Sequence, residues 1–158
     1  MKSLLFVALA GIVALGGASR LRSAEKKVTA PAMGKDQLIG AWHLVALEFP
    51  GADGGIGRVA DLQGMLLCTR DGHMSVQLMY PKSESNLTND YVKNGYEASY
   101  GSYEVNEEAH TVTHHVQGSI TEGLVGKDLP RAFQFSDGHL IIKSTRPDEH
   151  WSVTWEHY

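Results

Sequence analysis

Two adjacent histidines lie in the segment TVTHHVQG, which otherwise has the composition of a β-strand. Imidazole can bind a metal ion or accept a proton near neutral pH, so this pair is a candidate for chemistry. Successive side chains of a strand point to opposite faces. His114 therefore lies on an apolar face and His115 on a polar one. The other members of the apolar face are Val112, Val116 and Ile120. We expect His114 inside the fold and His115 at its surface.

The same alternation argues against a metal site built from both histidines. His110 shares the face of His114 but lies four residues away, about 13 Å at roughly 3.3 Å per residue. One ion with bonds of about 2 Å does not span that separation. The chain has eight histidines, yet no Cys-x-x-Cys, no His-x-His and no His-x-x-x-His on a predicted helix. We therefore expect no metal and no cofactor, and only a cross-strand metal site stays open.

Arg131 is the second residue whose position predicts chemistry. In the segment RAFQF it shares a face with Phe133 and Phe135, the set that points inward. A guanidinium directed toward an apolar interior is costly unless it is paired. Two interpretations stay open. Arg131 lies at the rim of the fold, or it acts with His114 to hold a polar group of a ligand.

Two aromatic residues complete the candidate site. Tyr103 shares its face with Gly101 and Val105 and points inward, and Trp155 lies on the apolar face of the last strand. Trp155 fits a core position better than a cofactor platform, because aromatic residues dominate cores. Apolar walls with a few convergent polar groups are typical of a small-molecule pocket. The candidate ligand-binding residues are Trp42, Tyr103, His114, Arg131, Phe133 and Trp155.

An enzymatic use of the same residues stays open. His114 could act as general base and Tyr103 as acid in an isomerisation or cyclisation that needs no cofactor. No serine or cysteine has a recognisable nucleophile motif, and Cys68, the single cysteine, lies in an apolar run typical of a core thiol. The acidic residues next to these strands, Glu104, Glu107 and Glu108, fall outward or in a turn. The sequence does not decide whether the protein is an enzyme.

Short alternating segments predict the elements that hold these residues. Turns at Asp71-Gly72, at residues 106–108 and at Asp137-Gly138 separate β-prone runs, and residues 35–39 predict one helical turn. The polar residues 84–95 lack the alternation and predict a short helix or a loop that forms a lid. About eight short strands with meander connections predict an all-β, up-and-down antiparallel barrel. A β-sandwich is the alternative.

The N-terminus has the pattern of an export signal. One lysine, an apolar run over residues 4–15 and small residues at 16–18 predict a signal peptide over residues 1–18. A polar leader over residues 19–34 and a single domain over residues 35–158 follow. We expect a periplasmic or secreted protein with no membrane span after cleavage, although an uncleaved anchor stays open. No block of basic residues is present, so we expect no nucleic-acid partner. The oligomeric state is not predicted.

Several segments together resemble the lipocalin-like domain family of bacteria and fungi. They are LIGAWHLV, DGHMSVQLMYP, YGSYEV, TVTHHV, VGKDLPRAFQFSDGHLII and SVTWEHY, and they extend over residues 37–158. The resemblance implies a closed barrel with an internal cavity. It also implies that Arg131 could close one barrel end by stacking on Trp42, as an arginine often does in lipocalins. The chain departs from familiar secreted lipocalins because it has no disulfide and no clear copy of their later Thr-Asp-Tyr motif.

Three functions are compatible with this fold, because a fold does not fix its chemistry. The first is binding of a small, mostly apolar ligand in the cavity. The second is an isomerase or cyclase with His114 as base. The third is a structural or partner-binding barrel whose interior is filled by its own side chains.

Overall fold

The computed structural model describes residues 34–158, so the predicted signal peptide and all but the last residue of the leader lie outside the described residues. One helical turn precedes nine strands, whereas the spacing predicts the helical turn and about eight strands. No helix within the described part is long and apolar enough to cross a membrane. The elements are α1 (Lys35–Leu38), β1 (Gly40–Pro50), β2 (Ile56–Arg58), β3 (Gln63–Cys68), β4 (His73–Met79), β5 (Tyr96–Asn106), β6 (Thr111–Ser119), β7 (Asp128–Ser136), β8 (His139–Ser144) and β9 (Ser152–His157), with short 3₁₀ turns at Lys82–Glu84 and Glu122–Leu124.

Eight of the strands close into an antiparallel barrel. From β3 to β9 each strand pairs with the next one in sequence, and β1 pairs with both β3 and β9. The short β2 pairs only with the far end of β1 and extends the wall there. The predicted up-and-down barrel is therefore confirmed, and the sandwich is excluded.

Two of the predicted turns depend on residues that tolerate a positive φ. Gly72, with φ of 88°, follows Asp71 in the β3–β4 turn, and Asp137 and Gly138, with φ of 50° and 81°, connect β7 to β8. Two consecutive residues with positive φ match the twist of a tight hairpin. The Asp-Gly pairs therefore predicted these turns correctly, because the turns need positive φ values that glycine adopts without steric cost.

Helix α1 closes one end of the barrel, which we call the closed end. Leu38 and Trp42 are almost fully buried there together with Leu140. The indole Nε1 of Trp42 donates a hydrogen bond to the carbonyl oxygen of Leu38, at 3.0 Å. This bond satisfies a carbonyl at the end of a helix and a buried indole at once. The interior at the closed end is thus packed core.

A β-bulge in β6 changes the face of the residues that follow it. Tyr100 pairs with Gly118 but Gly101 pairs with Val116, so Gln117 has no partner on β5. The extra residue reverses the alternation. Ile120, which regular alternation places on the face of His114, is 39% exposed. That prediction was wrong because alternation across a bulge fails, whereas His114 precedes the bulge and keeps its inward direction.

We predict that Gly101→Ala lowers the free energy of unfolding by about 1–3 kcal/mol, because overpacking a rigid site costs about that much. A Cβ on Gly101 would collide with the backbone carbonyl oxygen of His115 on the facing strand. Gly123→Ala is the matched control, since a Cβ there meets nothing within 4 Å. Urea unfolding of both variants measures the effect. Equal unfolding free energies would show that the bulge does not depend on close approach of the two backbones.

Candidate functional site

A cavity of about 190 Å³ occupies the half of the barrel opposite the closed end. Its walls are mainly aliphatic and aromatic, and a few polar groups interrupt them. The apolar wall residues include Leu47, Leu66, Val76, Leu78, Ile142, Trp151, Val153 and Trp155. The polar residues are Tyr80, Asn89, Tyr91, Glu97, Ser99, His114 and Arg131.

Residues 80–95, which we call the cover segment, form part of the cavity wall. Asn89 accepts hydrogen bonds from the backbone N–H groups of Tyr91 and Val92, at 2.8 and 2.9 Å. This side-chain turn directs Tyr91 and the buried Val92 toward the cavity. The polar segment is thus a loop that contributes to the site, with only one short 3₁₀ turn at its start.

Arg131 is the charged residue at the centre of the site. It is only 5% exposed, and its guanidinium carbon lies 5.4 Å from the ring centroid of Tyr91 and 4.9 Å from that of Trp151. Its Nη1 donates a hydrogen bond to the carbonyl oxygen of Pro130, at 3.3 Å. No carboxylate within residues 34–158 forms an ion pair with it. Two aromatic rings therefore stabilise a buried positive charge that forms no ion pair in this part of the chain.

Glu149 holds both of these aromatic rings in place. Its carboxylate accepts hydrogen bonds from the hydroxyl of Tyr91 at 2.9 Å, from the indole Nε1 of Trp151 at 3.2 Å and from the hydroxyl of Ser144 at 2.7 Å. Burial acts to raise the pKa of Glu149, but these hydrogen bonds and the nearby Arg146 outweigh burial and lower it. The ionised carboxylate thus joins the cover segment to the β8–β9 connection.

Glu97 is a cavity residue that the sequence analysis missed. It lies at the start of β5, and burial raises its pKa to about 7 although the positive charge of Arg131 opposes this shift. The signal was present, because the alternation that places Tyr103 inward also places Ser99 and Glu97 on the same face. This inward face of β5 therefore extends from Tyr103 to Glu97 at the start of the strand.

His114 lines the cavity, and His115 lies on the outer face. Burial lowers the pKa of His114 to about 4, with smaller contributions from the charges of Arg131 and His115. The imidazole of His114 is therefore neutral near pH 7. The Nδ1 of His115 lies 2.7 Å from a carboxylate oxygen of Asp128. Strand alternation thus separates the two neighbours as expected.

Three of the six predicted ligand-binding residues line the cavity, namely His114, Arg131 and Trp155. The other three, Trp42, Tyr103 and Phe133, are buried in the core and do not line it. All six side chains lie inside the barrel. Alternation predicts only which face of a strand a residue occupies. It does not determine the depth of each along the barrel axis, and the closed end is filled by packing.

The expected partner of Arg131 also differs in the structure. Arg131 stacks on Trp151, whereas Trp42 packs against Phe135 and His157 at ring-centroid distances of 6.2 and 4.4 Å. The expectation that Arg131 stacks on Trp42 is therefore wrong, because Trp42 lies at the closed end and Arg131 lines the cavity.

Tyr103 is poorly placed to act as the acid beside His114. The two residues are cross-strand partners, but the Tyr103 hydroxyl donates a hydrogen bond to the carbonyl oxygen of Thr69, at 2.8 Å. Burial is the main cause that raises the pKa of Tyr103 to about 12. The phenol therefore has a structural partner at the closed end.

Other reactive groups in the described residues do not assemble a centre. No cluster of three or more histidine, cysteine, aspartate or glutamate side chains within residues 34–158 could hold a metal ion. Burial raises the pKa of the Cys68 thiol to about 12, so the thiolate form is scarce at neutral pH.

Comparison with known proteins identifies the fold family. The profile described as "Lipocalin-like domain" matches residues 39–157, which is most of the chain. No curated protein matches it. Among solved structures, the fluorescent protein UnaG is similar at 11% identity with a TM-score of 0.40, covering 78% of this chain and 98% of UnaG. A point mutant of UnaG is similar at 11% identity with a TM-score of 0.41, covering 78% of this chain and 97% of the mutant.

We predict that Glu97→Gln raises the free energy of unfolding relative to the original protein at pH 8 but not at pH 5. The folded state retains a proton on Glu97 up to a pKa of about 7, whereas the ordinary value is 4.5. The unfolded chain therefore loses this proton first, and stability falls as the pH rises through this range. Because the side chain is only partly buried, we expect a difference on the order of 1 kcal/mol.

Urea unfolding at both pH values measures this difference, with the exposed Glu84→Gln as control. An E97Q effect that is the same at pH 5 and pH 8 would contradict the raised pKa.

We predict that Glu149→Ala destabilises the protein by about 1–3 kcal/mol, because it leaves the Tyr91 hydroxyl and the Trp151 indole without their acceptor. We also expect a change in tryptophan fluorescence, since the ring of Trp151 is no longer held against Arg131. The exposed Glu122→Ala is the control in the same thermal melts and emission spectra. Unchanged emission in the Glu149 variant would contradict its role in holding this ring.

Proposed function

The chain belongs to the lipocalin-like domain family, and we propose that it binds a small, mostly apolar molecule inside its barrel. The observation that carries this proposal is the cavity of about 190 Å³ between the closed end and the cover segment. Apolar walls with a few polar groups are typical of ligand sites. A well-packed barrel leaves few voids larger than a water molecule, so this volume favours binding over a filled interior.

The polar groups of the cavity suggest how such a molecule is oriented. Arg131 supplies N–H donors, and the neutral imidazole of His114 supplies one donor and one acceptor. The two residues lie on the neighbouring strands β7 and β6. A ligand with one polar end and an apolar body would place the polar end beside them and the body against Trp155 and the aliphatic wall.

Proton transfer is the second candidate function, and a specific observation favours it. A carboxyl group whose pKa is about 7 lies in the same cavity as a guanidinium, and a base with such a pKa is well matched to neutral pH. The candidate base is then Glu97, because the lowered pKa of His114 makes its imidazole a weak base. Glu97→Gln would abolish turnover of a bound substrate and retain its binding, whereas a pure binder has no turnover to lose.

We predict that protein purified from its own host carries a bound small molecule in native mass spectrometry. The cavity is slightly larger than one of about 150 Å³ that holds benzene, so we expect an adduct on the order of 100–200 Da. His114→Ala should weaken binding of this molecule up to about tenfold, because it removes one uncharged hydrogen bond. His115→Ala is the matched control, since its side chain lies outside the barrel. Absence of any adduct, or equal effects of the two variants, would contradict the proposal.

We further infer that the protein is exported. The support is the pattern of residues 1–18, and cleavage after Ala18 would leave a chain that begins at Ser19. The intact mass of the protein from its host, together with its distribution between cell fractions, tests this inference. A full-length chain recovered from the cytoplasm would contradict it.

A further inference from the structure

We propose that the cavity selects small organic monocarboxylates about the size of benzoate, and that the ligand carboxylate pairs with Arg131 opposite Glu97. This inference rests on the proposed binding function and names the chemical class of its ligand. Neither the family match nor the similar structures assign this class.

The geometry of Arg131 favours an anionic ligand. Its guanidinium is nearly fully buried, and the rings of Tyr91 and Trp151 occupy its surroundings. Stacking covers the flat faces of a guanidinium and leaves the N–H groups in its plane. Nη1 donates a hydrogen bond to the carbonyl oxygen of Pro130, and the Tyr91 hydroxyl, whose pKa Arg131 acts to lower, is a second protein group close to the guanidinium. A carboxylate in that plane would accept the remaining N–H groups and offset the cost of the buried charge.

The other ionisable groups of the cavity favour a single negative charge on the ligand. Tyr80 and Tyr91 are phenols, which are neutral near pH 7, and burial raises the pKa of each further. His114 is neutral because burial lowers its pKa to about 4. Arg131 then contributes one positive charge, and Glu97 contributes a negative charge only when it is ionised. A monoanion balances this set while Glu97 is neutral, whereas a dianion leaves an excess negative charge in the apolar cavity.

The volume of the cavity limits the apolar part of the ligand. A cavity of about 150 Å³ holds benzene, so about 190 Å³ accommodates one ring with a few additional atoms. Pockets for drug-sized ligands are larger, at about 300–1,000 Å³. The whole tail of a long-chain fatty acid therefore does not fit inside this volume.

Glu97 links binding of the anion to pH. Both Glu97 and Arg131 line the cavity. An ionised Glu97 therefore competes with the ligand carboxylate for electrostatic attraction to the Arg131 guanidinium. Benzoate stays ionised between pH 6 and pH 8, so its affinity should fall several-fold over this range as Glu97 loses its proton. Glu97→Gln should remove this dependence, since the amide has the same shape and no charge.

Isothermal titration calorimetry with benzoate and benzamide tests the proposal, because the two probes have nearly the same shape and differ in charge. At pH 6 we expect benzoate to bind at least tenfold more tightly than benzamide. Arg131→Gln should abolish this preference, and Arg131→Lys should retain part of it. The exposed Arg70→Gln is the control for a change in total charge. Hexadecanoate, as a long-chain probe, should not bind within the cavity.

Each result decides the proposal. Benzamide binding as tightly as benzoate would overturn it, as would an unchanged preference in Arg131→Gln or the absence of binding by either probe. The comparison of benzoate with benzamide, and of pH 6 with pH 8, uses the unaltered protein and so does not depend on the folding of any variant. A bound neutral molecule in native mass spectrometry would overturn the monocarboxylate class and leave the proposed binding function standing.

Discussion

The pairing of β1 with β9 is the constraint on which the rest of the structure depends. It closes the sheet, so that each of the eight ring strands has two neighbours and every second side chain points into a space remote from water. Without this closure, the inward side chains would need a second sheet to cover them. Closure therefore creates both the packed core near α1 and the cavity at the other end, and it removes the edges at which the ring strands could pair with other chains.

Within this interior, the buried charge of Arg131 organises the polar part of the site. The aromatic rings of Tyr91 and Trp151 lie next to its guanidinium. Both side chains donate hydrogen bonds to the Glu149 carboxylate, which keeps the rings in this position. The same positive charge disfavours protonation of His114 and opposes the raised pKa of Glu97. One cation thus influences the protonation states of the cavity. No carboxylate within residues 34–158 forms an ion pair with this guanidinium, so a ligand anion is the partner we propose for it.

Much of the fold could be predicted from local patterns, but the site only in part. Asp-Gly pairs identified the turns, and alternation identified His114, Arg131 and Trp155 as inward residues. Alternation could not distinguish these from Trp42, Tyr103 and Phe133, because depth along the barrel depends on strand tilt and on the register between strands. The bulge at Gln117 was not predictable for a similar reason. It is a property of the pairing of β5 with β6 and has no signature within either strand alone.

The sequence by itself determined the alternating strands, the turns between them and the inward direction of the principal polar side chains. These features follow from the stereochemistry of single residues and their immediate neighbours. The tertiary structure alone decided which inward residues meet. It brought Glu97 into the same cavity as Arg131, replaced the expected Trp42 contact by Trp151, and joined Tyr91 to Glu149 across 58 positions of the chain. Such contacts depend on closure and register, which are set by the free energy of the whole barrel rather than by any one segment.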